Sequence, residues 1–342
     1  LGKYKEVVES LQKEPKTWLV TGAAGFIGSN LVQRLLQLGQ KVRTFDNLSS
    51  GYAKNINEVI ENTGLMKSAN LDYQEGDIRD LDDCKRVCDR VDYVLHEAAQ
   101  VSVPLSFEKP LYNNEVNITG FLNMLFAARD SRVKSFVYAS SCAVYGDDPV
   151  QPKTENLICD PISPYGLTKL MDEQYASLSN RIYGFHSVGL RYFNAFGPRQ
   201  DPRGAYAGVI PKWISTLLAG QVAVIYGDGE QTRDFCHIEN IIQANLLASC
   251  SSDPEVAGNV FNIGFGKSTT INDLYKEVRN SLAAIHPEIN GSGPIYNEER
   301  YGDIKFSEAD ITKARELLGY EPTHDLRKGL EESIHWYVNH LV

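Results

Sequence analysis

Val20-Thr21-Gly22-Ala23-Ala24-Gly25-Phe26-Ile27-Gly28-Ser29-Asn30 stands where a short apolar run, Thr17 to Val20, gives way to the helical pattern of Ile27 to Leu38. It reads as a strand, a tight turn and a helix start. Such a turn aims backbone N–H groups and the positive end of the helix dipole at one point, which suits a pyrophosphate. Gly22 allows the turn, Gly25 admits a ligand close to the backbone, and Gly28 lets the helix close on the strand. The spacing is G-x-x-G-x-x-G, and a glycine-rich turn by itself is often only a turn. A second strand, Val42 to Phe45, ends in Asp46, about 20 residues beyond the glycines, where an acid is expected to hydrogen-bond an adenosine ribose. A carboxylate there repels an extra 2′-phosphate, so the pattern predicts NAD. Arg43 lies nearby, however, and Asp46 read alone is a loop cap.

With 342 residues the chain is long enough for a large core and for two domains of ordinary size. Its net charge of −10 argues against a nucleic-acid partner, because no basic surplus exists to displace counterions from phosphate. No window approaches the roughly 20 apolar residues of a membrane span, and no signal-like leader opens the chain, so a cytoplasmic protein is expected. The six cysteines are scattered. Cys84 and Cys88 alone are close, without accompanying histidines, and read as reduced structural thiols; no metal site is expected.

Beyond Asp46 the polar connection Asn47-Leu48-Ser49-Ser50-Gly51-Tyr52 reads as a strap over the adenosine phosphates, or as a plain surface loop. Leu71 to Asp80 is a third strand and turn, Leu81 to Cys88 a helix, and Val91 to Glu97 a fourth strand stopping at Ala98-Ala99, small enough for a dinucleotide to lie against the backbone. Asn114 to Asp130 is expected as one long helix with Phe121, Leu122, Leu125 and Phe126 as its stripe. Ser135 to Ser140 and Ser187 to Arg191 are further strands, separated by the helix Tyr165 to Tyr183. Alternating strands and helices predict an α/β fold, a Rossmann-like doubly wound parallel sheet with ligands at its carboxyl edge and a smaller mixed C-terminal substrate lobe. The expected division is 1–190, with about 235–262 returning to it, for the dinucleotide, and 191–234 plus 263–342 for the substrate.

The second informative cluster is Ser163-Pro164-Tyr165-Gly166-Leu167-Thr168-Lys169. Tyr165 and Lys169, at i and i+4, leave one helical face together. A free tyrosine is a poor base at neutral pH. A lysine ammonium and a positive nicotinamide ring stabilise the phenolate, so Tyr165 is read as the base that takes a proton from a sugar hydroxyl while hydride leaves the same carbon. Ser141, at the end of the fifth strand, hydrogen-bonds that oxygen, and Lys169 also anchors the nicotinamide ribose. Y-x-x-x-K alone is more often a surface pair; the glycine turn, Asp46 and the strand-end serine, all in order, change that reading.

T-G-A-A-G-F-I-G-S-N, S-S-C-A-V-Y-G and Y-G-L-T-K together resemble the extended short-chain dehydrogenase/reductase family. L-R-Y-F-N-A-F-G-P-R-Q (Leu190 to Gln200), G-D-G-E-Q-T-R-D-F (Gly227 to Phe235) and R-Y-G-D-I (Arg300 to Ile304) resemble nucleotide-sugar 4-epimerases, nearest to bacterial UDP-N-acetylglucosamine 4-epimerases of surface-polysaccharide pathways, also through Gly204 to Ala207 and Val209 to Trp213. The resemblance implies tightly held NAD, with Gly22, Gly25, Phe26, Ile27, Gly28, Asp46, Asn47, Ser50, Gly51, Asp77, Ile78, Ala98, Ala99, Asn117, Tyr165, Lys169 and Tyr192 around it. It implies a UDP-sugar substrate contacted by Ser102, Ser141, Cys142, Asn194, Gln200, Val209, Lys212, Tyr226, Arg233, Arg300, Asp303 and Ser307. Arg233 and Arg300 clamp the diphosphate, as planar guanidinium forks suit phosphate oxygens. Asp303 holds the uridine ribose, and Ser307 leaves room beside the sugar for a 2-acetamido group. Pairing of Asn114 to Asp130 and Tyr165 to Tyr183 with a second copy, as a homodimeric four-helix bundle, is also implied.

The chain departs from its nearest relatives at Cys142, Ala143 and Val144, and again at Val101 to Leu105, so the sugar is less firmly specified than the reaction. A dehydratase or decarboxylase of this family carries a carboxylate beside the strand-end hydroxyl; Cys142 and Ala143 offer none, which favours return of the hydride and epimerisation. A UDP-glucuronate-type or UDP-glucose-only 4-epimerase stays open. A non-catalytic NAD-binding regulator is the reading from a different class, and an intact Ser141, Tyr165 and Lys169 count against it.

Overall fold

A computed structural model describes residues 2–64, 70–202, 208–291, 293–299 and 304–341. Helix α1 (Gly2–Lys13) leads into β1 (Thr17–Thr21), α2 (Phe26–Gln37), β2 (Lys41–Asp46), α3 (Ala53–Thr63), β3 (Leu71–Glu75), α4 (Leu81–Cys88) and β4 (Tyr93–His96). Next come α5 (Val103–Glu108), α6 (Pro110–Asn114), α7 (Phe121–Asp130), β5 (Ser135–Ser141), α8 (Pro164–Tyr183), β6 (Ser187–Tyr192) and β7 (Asn194–Phe196). The remainder is α9 (Val209–Leu218), β8 (Val224–Tyr226), β9 (Thr232–His237), α10 (Ile238–Cys250), β10 (Val260–Ile263), β11 (Ser268–Thr270), α11 (Ile271–Ala283), β12 (Ile295–Asn297) and α12 (Leu326–His340).

Seven strands form one parallel sheet in the order β10-β6-β5-β4-β1-β2-β3. β1 lies between β2 and β4, so the chain reverses its winding direction there and opens a crevice beyond Thr21 and His96, where doubly wound sheets bind ligands. The inner strands are apolar on both faces because helices cover both. Trp18 and Val20 pack with Leu31, Leu35, Ile241 and Leu246 on one side, whereas Leu19, Val94 and Phe136 pack with Val87, Phe121 and Leu125 on the other. A third core, with Trp213, Phe235, Leu274 and Tyr337, belongs to the C-terminal lobe of α9, α11, α12 and the small sheets β11-β9-β7 and β12-β8.

The expected helix Asn114 to Asp130 is present as a continuous helical segment with one local departure. α6 passes into a wide π-helical stretch, Glu115–Gly120, before α7 resumes. In that stretch Asn117 turns inward and brackets the backbone of Gln100, accepting from its N–H at 2.7 Å and donating to its carbonyl at 3.0 Å. Phe121, Met124, Leu125 and Ala128 are the buried stripe, while Leu122 and Phe126 are only half-buried. β4 ends one residue early, at His96, and the Glu97 that follows still donates its N–H to the Thr21 carbonyl at 3.3 Å while its carboxyl accepts from Tyr192.

The two halves are joined by Arg199, which is 4% exposed. Its guanidinium donates to Ser29 and Asn30 of α2 at 3.0 and 2.6 Å, and to Gln33 and Glu58 at 3.0 and 3.1 Å. Glu58 in turn accepts from the Trp336 indole at 2.8 Å, which fastens α12 to α3.

Candidate active site

The glycine turn has the geometry its spacing predicts. Gly22 has φ +64°, and a Cβ on it would lie 2.7 Å from the Ala98 nitrogen; a Cβ on Gly28 would lie 2.2 Å from the Gly22 carbonyl oxygen. Gly25 meets only that carbonyl oxygen, at 3.1 Å, and as the residue preceding α2 provides no side-chain cap. The first N–H groups of α2, at Phe26 and Ile27, are therefore available to an anion. Asp46 accepts from the Ala24 N–H at 2.9 Å and the Leu48 N–H at 2.8 Å, bracing the turn while leaving lone pairs toward the crevice. Burial raises its pKa.

The connection after Asp46 folds back over the turn. Tyr52 N–H donates to the Ala24 carbonyl at 3.0 Å, and a Cβ on Gly51 would lie 2.8 Å from Ala24, so Ser50 and Gly51 lie against the glycines. Asn47 donates to Asp77 at 2.9 Å, and Arg79 holds the Asp77 carboxyl down to about 2. Ile78, next in the chain, is buried against Gly120. Ala98 and Ala99 follow β4 across from Gly22. Asn117, by contrast, engages protein partners with its amide, including Thr168 at 3.1 Å, and so braces the β4 end rather than offering a free group. These residues fit a dinucleotide laid along the carboxyl edge.

Ser141 is the last residue of β5, and α8 begins with Ser163 as its cap and Pro164 in the first turn. Gly166 presses α8 onto the turn after Ser141, where a Cβ would lie 2.6 Å from the Ala143 carbonyl oxygen. Tyr165 is thereby brought near Ser141, whose side chain accepts from the Ala143 N–H at 3.1 Å and whose hydroxyl pulls the phenol's pKa down. Lys169, 3% exposed, emerges one turn later and donates to the Ala139 carbonyl at 2.9 Å. Burial pushes the Tyr165 phenol up to about 12, with Ser141 pulling down and Cys142, Asp172 and Glu97 pushing up. Asp172 stands 3.6 Å from the Lys169 ammonium and shares its field.

Sequence reasoning missed two carboxyls here. Tyr192 donates to Glu97 at 2.9 Å and accepts from Asn245 at 2.8 Å, while the second Glu97 oxygen is buried with no hydrogen-bond partner among the described residues. Both Asp172 oxygens are equally unpartnered. A glutamate in the otherwise apolar run ending at Ala99, and an aspartate on the Tyr165 helix, were the available signals.

On the substrate side, Arg233 and Asp234 flank Cys142, and burial pushes its thiol up to about 11. Among the described residues the Asn194 and Gln200 side-chain oxygens are buried without partners. Gln200 also donates to the Ala195 carbonyl at 3.1 Å. Val209 opens α9, Lys212 is exposed one turn on, Tyr226 ends β8, and Ser307 is buried. Ser102 caps α5, accepting from Leu105 at 3.1 Å. Arg300, Asp303 and Gly204 to Ala207 lie outside the described residues. Among those described, no group of three His, Cys, Asp or Glu side chains is placed to hold a metal, and no helix is long and apolar enough to cross a membrane.

A strand-end serine with a Tyr-x-x-x-Lys helix, set at the switch point of a doubly wound sheet, defines a nicotinamide-dependent sugar-modifying class. Residues 18–264 match the model of the NAD dependent epimerase/dehydratase family; the chain belongs to that family, and NAD is its cofactor. It is similar to the UDP-N-acetylglucosamine 4-epimerase of Methanobrevibacter ruminantium M1, solved in complex with UDP-N-acetylmuramic acid: 39% identity, TM-score 0.87, 95% of this chain and 99% of that one. It is similar to the UDP-glucose 4-epimerase of Thermotoga maritima, solved with UDP-glucose, at 38% identity and TM-score 0.85 over 95% and 100% of the two chains. The UDP-glucose 4-epimerase of Mycolicibacterium smegmatis is 35% identical over 94% of this chain and 98% of its own.

Proposed function

We propose that the chain is a UDP-sugar 4-epimerase that interconverts UDP-GlcNAc and UDP-GalNAc, and also accepts UDP-glucose and UDP-galactose. The observation that supports this reading is the placement of Ser141 at the end of β5 beside the start of α8, where Gly166 presses on the turn after Ser141 and Tyr165 and Lys169 are both buried. Bound NAD supplies a reversible hydride acceptor. Tyr165 takes the proton from the sugar 4-hydroxyl and Ser141 holds that oxygen. A positive nicotinamide, with the Ser141 hydrogen bond, stabilises the phenolate against the burial that raises its pKa. Lys169 holds the nicotinamide ribose. Arg233, Asn194 and Arg300 grip the diphosphate while the sugar stays loosely held, so the ketose turns about its phosphate linkage and Tyr165 returns the proton after the opposite face is reduced. The lobe of 191–234 and 263–342 covers the substrate.

The N-acetylated substrate is supported by size: Ser307 is small where a bulky side chain would fill the space beside C2. Purified, NAD-loaded protein is expected to form UDP-GlcNAc from UDP-GalNAc without added NAD. Brisk turnover of UDP-galactose beside none of UDP-GalNAc would reject the acetamido reading, and inactivity on all UDP-hexoses would leave a regulator. The exposed Leu167, Leu178, Ile182 and Tyr183 along α8 support pairing with a second copy. Ile182→Glu is then expected to shift the protein to monomer in gel filtration; an unchanged elution would count against it.

A further inference from the structure

Glu97 sits where the family's reaction needs no acid. It follows β4 at the switch point, its N–H donates to Thr21 at 3.3 Å, and the next residue, Ala98, packs on Gly22. Its carboxyl is held from one side only, by the Tyr192 hydroxyl at 2.9 Å, itself fixed by Asn245 of α10 at 2.8 Å. The other oxygen is buried and unpartnered among the described residues. The groups whose fields reach it are Lys169 and Tyr165 of α8 and Tyr192 of β6. A half-satisfied buried carboxyl is costly to keep unless a further partner arrives. A nicotinamide close enough to take hydride from a sugar carbon next to Tyr165 places its ring within the field of this carboxyl.

We propose that Glu97 sets the redox poise of the bound cofactor: its carboxylate favours the oxidised, positively charged nicotinamide over the reduced, neutral one. Oxidation of the sugar moves a hydride, two electrons and one hydrogen, from C4 to the ring and a proton from the 4-hydroxyl to Tyr165, and the ring loses its positive charge. An adjacent negative charge opposes that step and assists the return of hydride to the ketose. The enzyme thereby rests in the oxidised form and is protected against stranding when a keto sugar escapes. Glu97 acts on the cofactor through its charge, beside the Tyr165 chemistry.

This inference rests on the nicotinamide lying against Tyr165, as the proposed function has it. The test is a reductive titration of the NAD-loaded protein against a mediated redox couple, run on the alkaline side of the Glu97 transition where the carboxyl is ionised, and read by the near-ultraviolet absorbance of reduced nicotinamide. Glu97→Gln keeps the acceptor for Tyr192 and removes the charge. Loss of a unit charge at a few ångströms raises the reduced-to-oxidised ratio by about tenfold, an upward midpoint shift of about 30 mV for a two-electron couple. Tyr192→Phe removes the one hydrogen bond that favours the ionised carboxyl and is expected to move the midpoint the same way by a smaller step, which keeps the test open where the Gln variant fails to fold. An unmoved midpoint in whichever variant holds the dinucleotide overturns the proposal. Wild-type protein that holds no titratable dinucleotide would instead overturn the placement of the cofactor.

Discussion

The Lys169 ammonium stands 3.6 Å from the Asp172 carboxyl, one helical turn on, and both side chains are shut off from solvent at 4% and 1% exposure. Asp172 has no hydrogen bond to offset its burial, so its pKa rises well above the ordinary value despite the lysine. Glu97, on the other side of the same ammonium, is pushed up to about 7 from 4.5 by burial. For an acid whose pKa is raised by folding, the stabilising difference is complete below the unfolded pKa and is lost as pH climbs through the folded one. Glu97 therefore removes roughly 3 kcal/mol between pH 4.5 and about 7, and Asp172 acts in the same direction. Urea unfolding across that window should show stability of the cofactor-free chain falling less steeply with pH in the Glu97→Gln, Asp172→Asn double variant. Parallel slopes would show that neither carboxyl is protonated by folding.

Tyr165→Phe deletes one oxygen from a packed site and leaves the Gly166 contact with Ala143 intact. Turnover of any UDP-hexose should fall by about 10³-fold or more, the size of a lost general base. Calorimetric titration with UDP should give an unchanged affinity, because the proposed diphosphate clamps are elsewhere. Retained activity would remove the phenol from the chemistry.

Arg199 donates to Ser29 and Asn30 of the dinucleotide-side helix from a position about 170 residues away in the chain, a span set by the α/β connection between halves. Arg199→Ala removes a buried guanidinium that ties Ser29, Asn30 and Gln33 together, leaves the half-buried Glu58 with Trp336 as its remaining donor, and unties the loop leading from Asn194. The expected cost is about 3 kcal/mol, the usual consequence of stripping one partner from a buried pair. Urea midpoints measure it, and a loss below about 1 kcal/mol would make the guanidinium an incidental contact.

Gly28→Ala drives a methyl to 2.2 Å from the Gly22 carbonyl oxygen, a backbone atom that cannot swing aside. The turn must open, and the N–H groups of Phe26 and Ile27 move with it. Protein purified from this variant should carry little NAD, as read by absorbance after acid release, while Gly39→Ala, where nothing lies within 4 Å, keeps its cofactor. Equal loading of the two would detach the dinucleotide from this turn.

The glycine turn, Asp46, the strand-end Ser141 and the Tyr165–Lys169 pair were legible because each is a local pattern, with a spacing that the helix or strand period converts directly into geometry. The helix from Asn114 was legible in the same way, but a period of 3.6 cannot reveal the widened stretch Glu115–Gly120 or the bonds Asn117 makes to Gln100 from it. Asp172 and Glu97 look like ordinary charged residues until burial is known. Sequence by itself determined the parallel sheet, the tight glycine turn at the end of β1 and the shared helical face of Tyr165 and Lys169, since adjacent residues and regular periods specify them. Tertiary structure alone decided that Asp172 is shut in beside Lys169, that Glu97 meets Tyr192 and that Arg199 reaches α2. Desolvation and long-range contact depend on which distant segments close over a group, and no spacing along the chain encodes that.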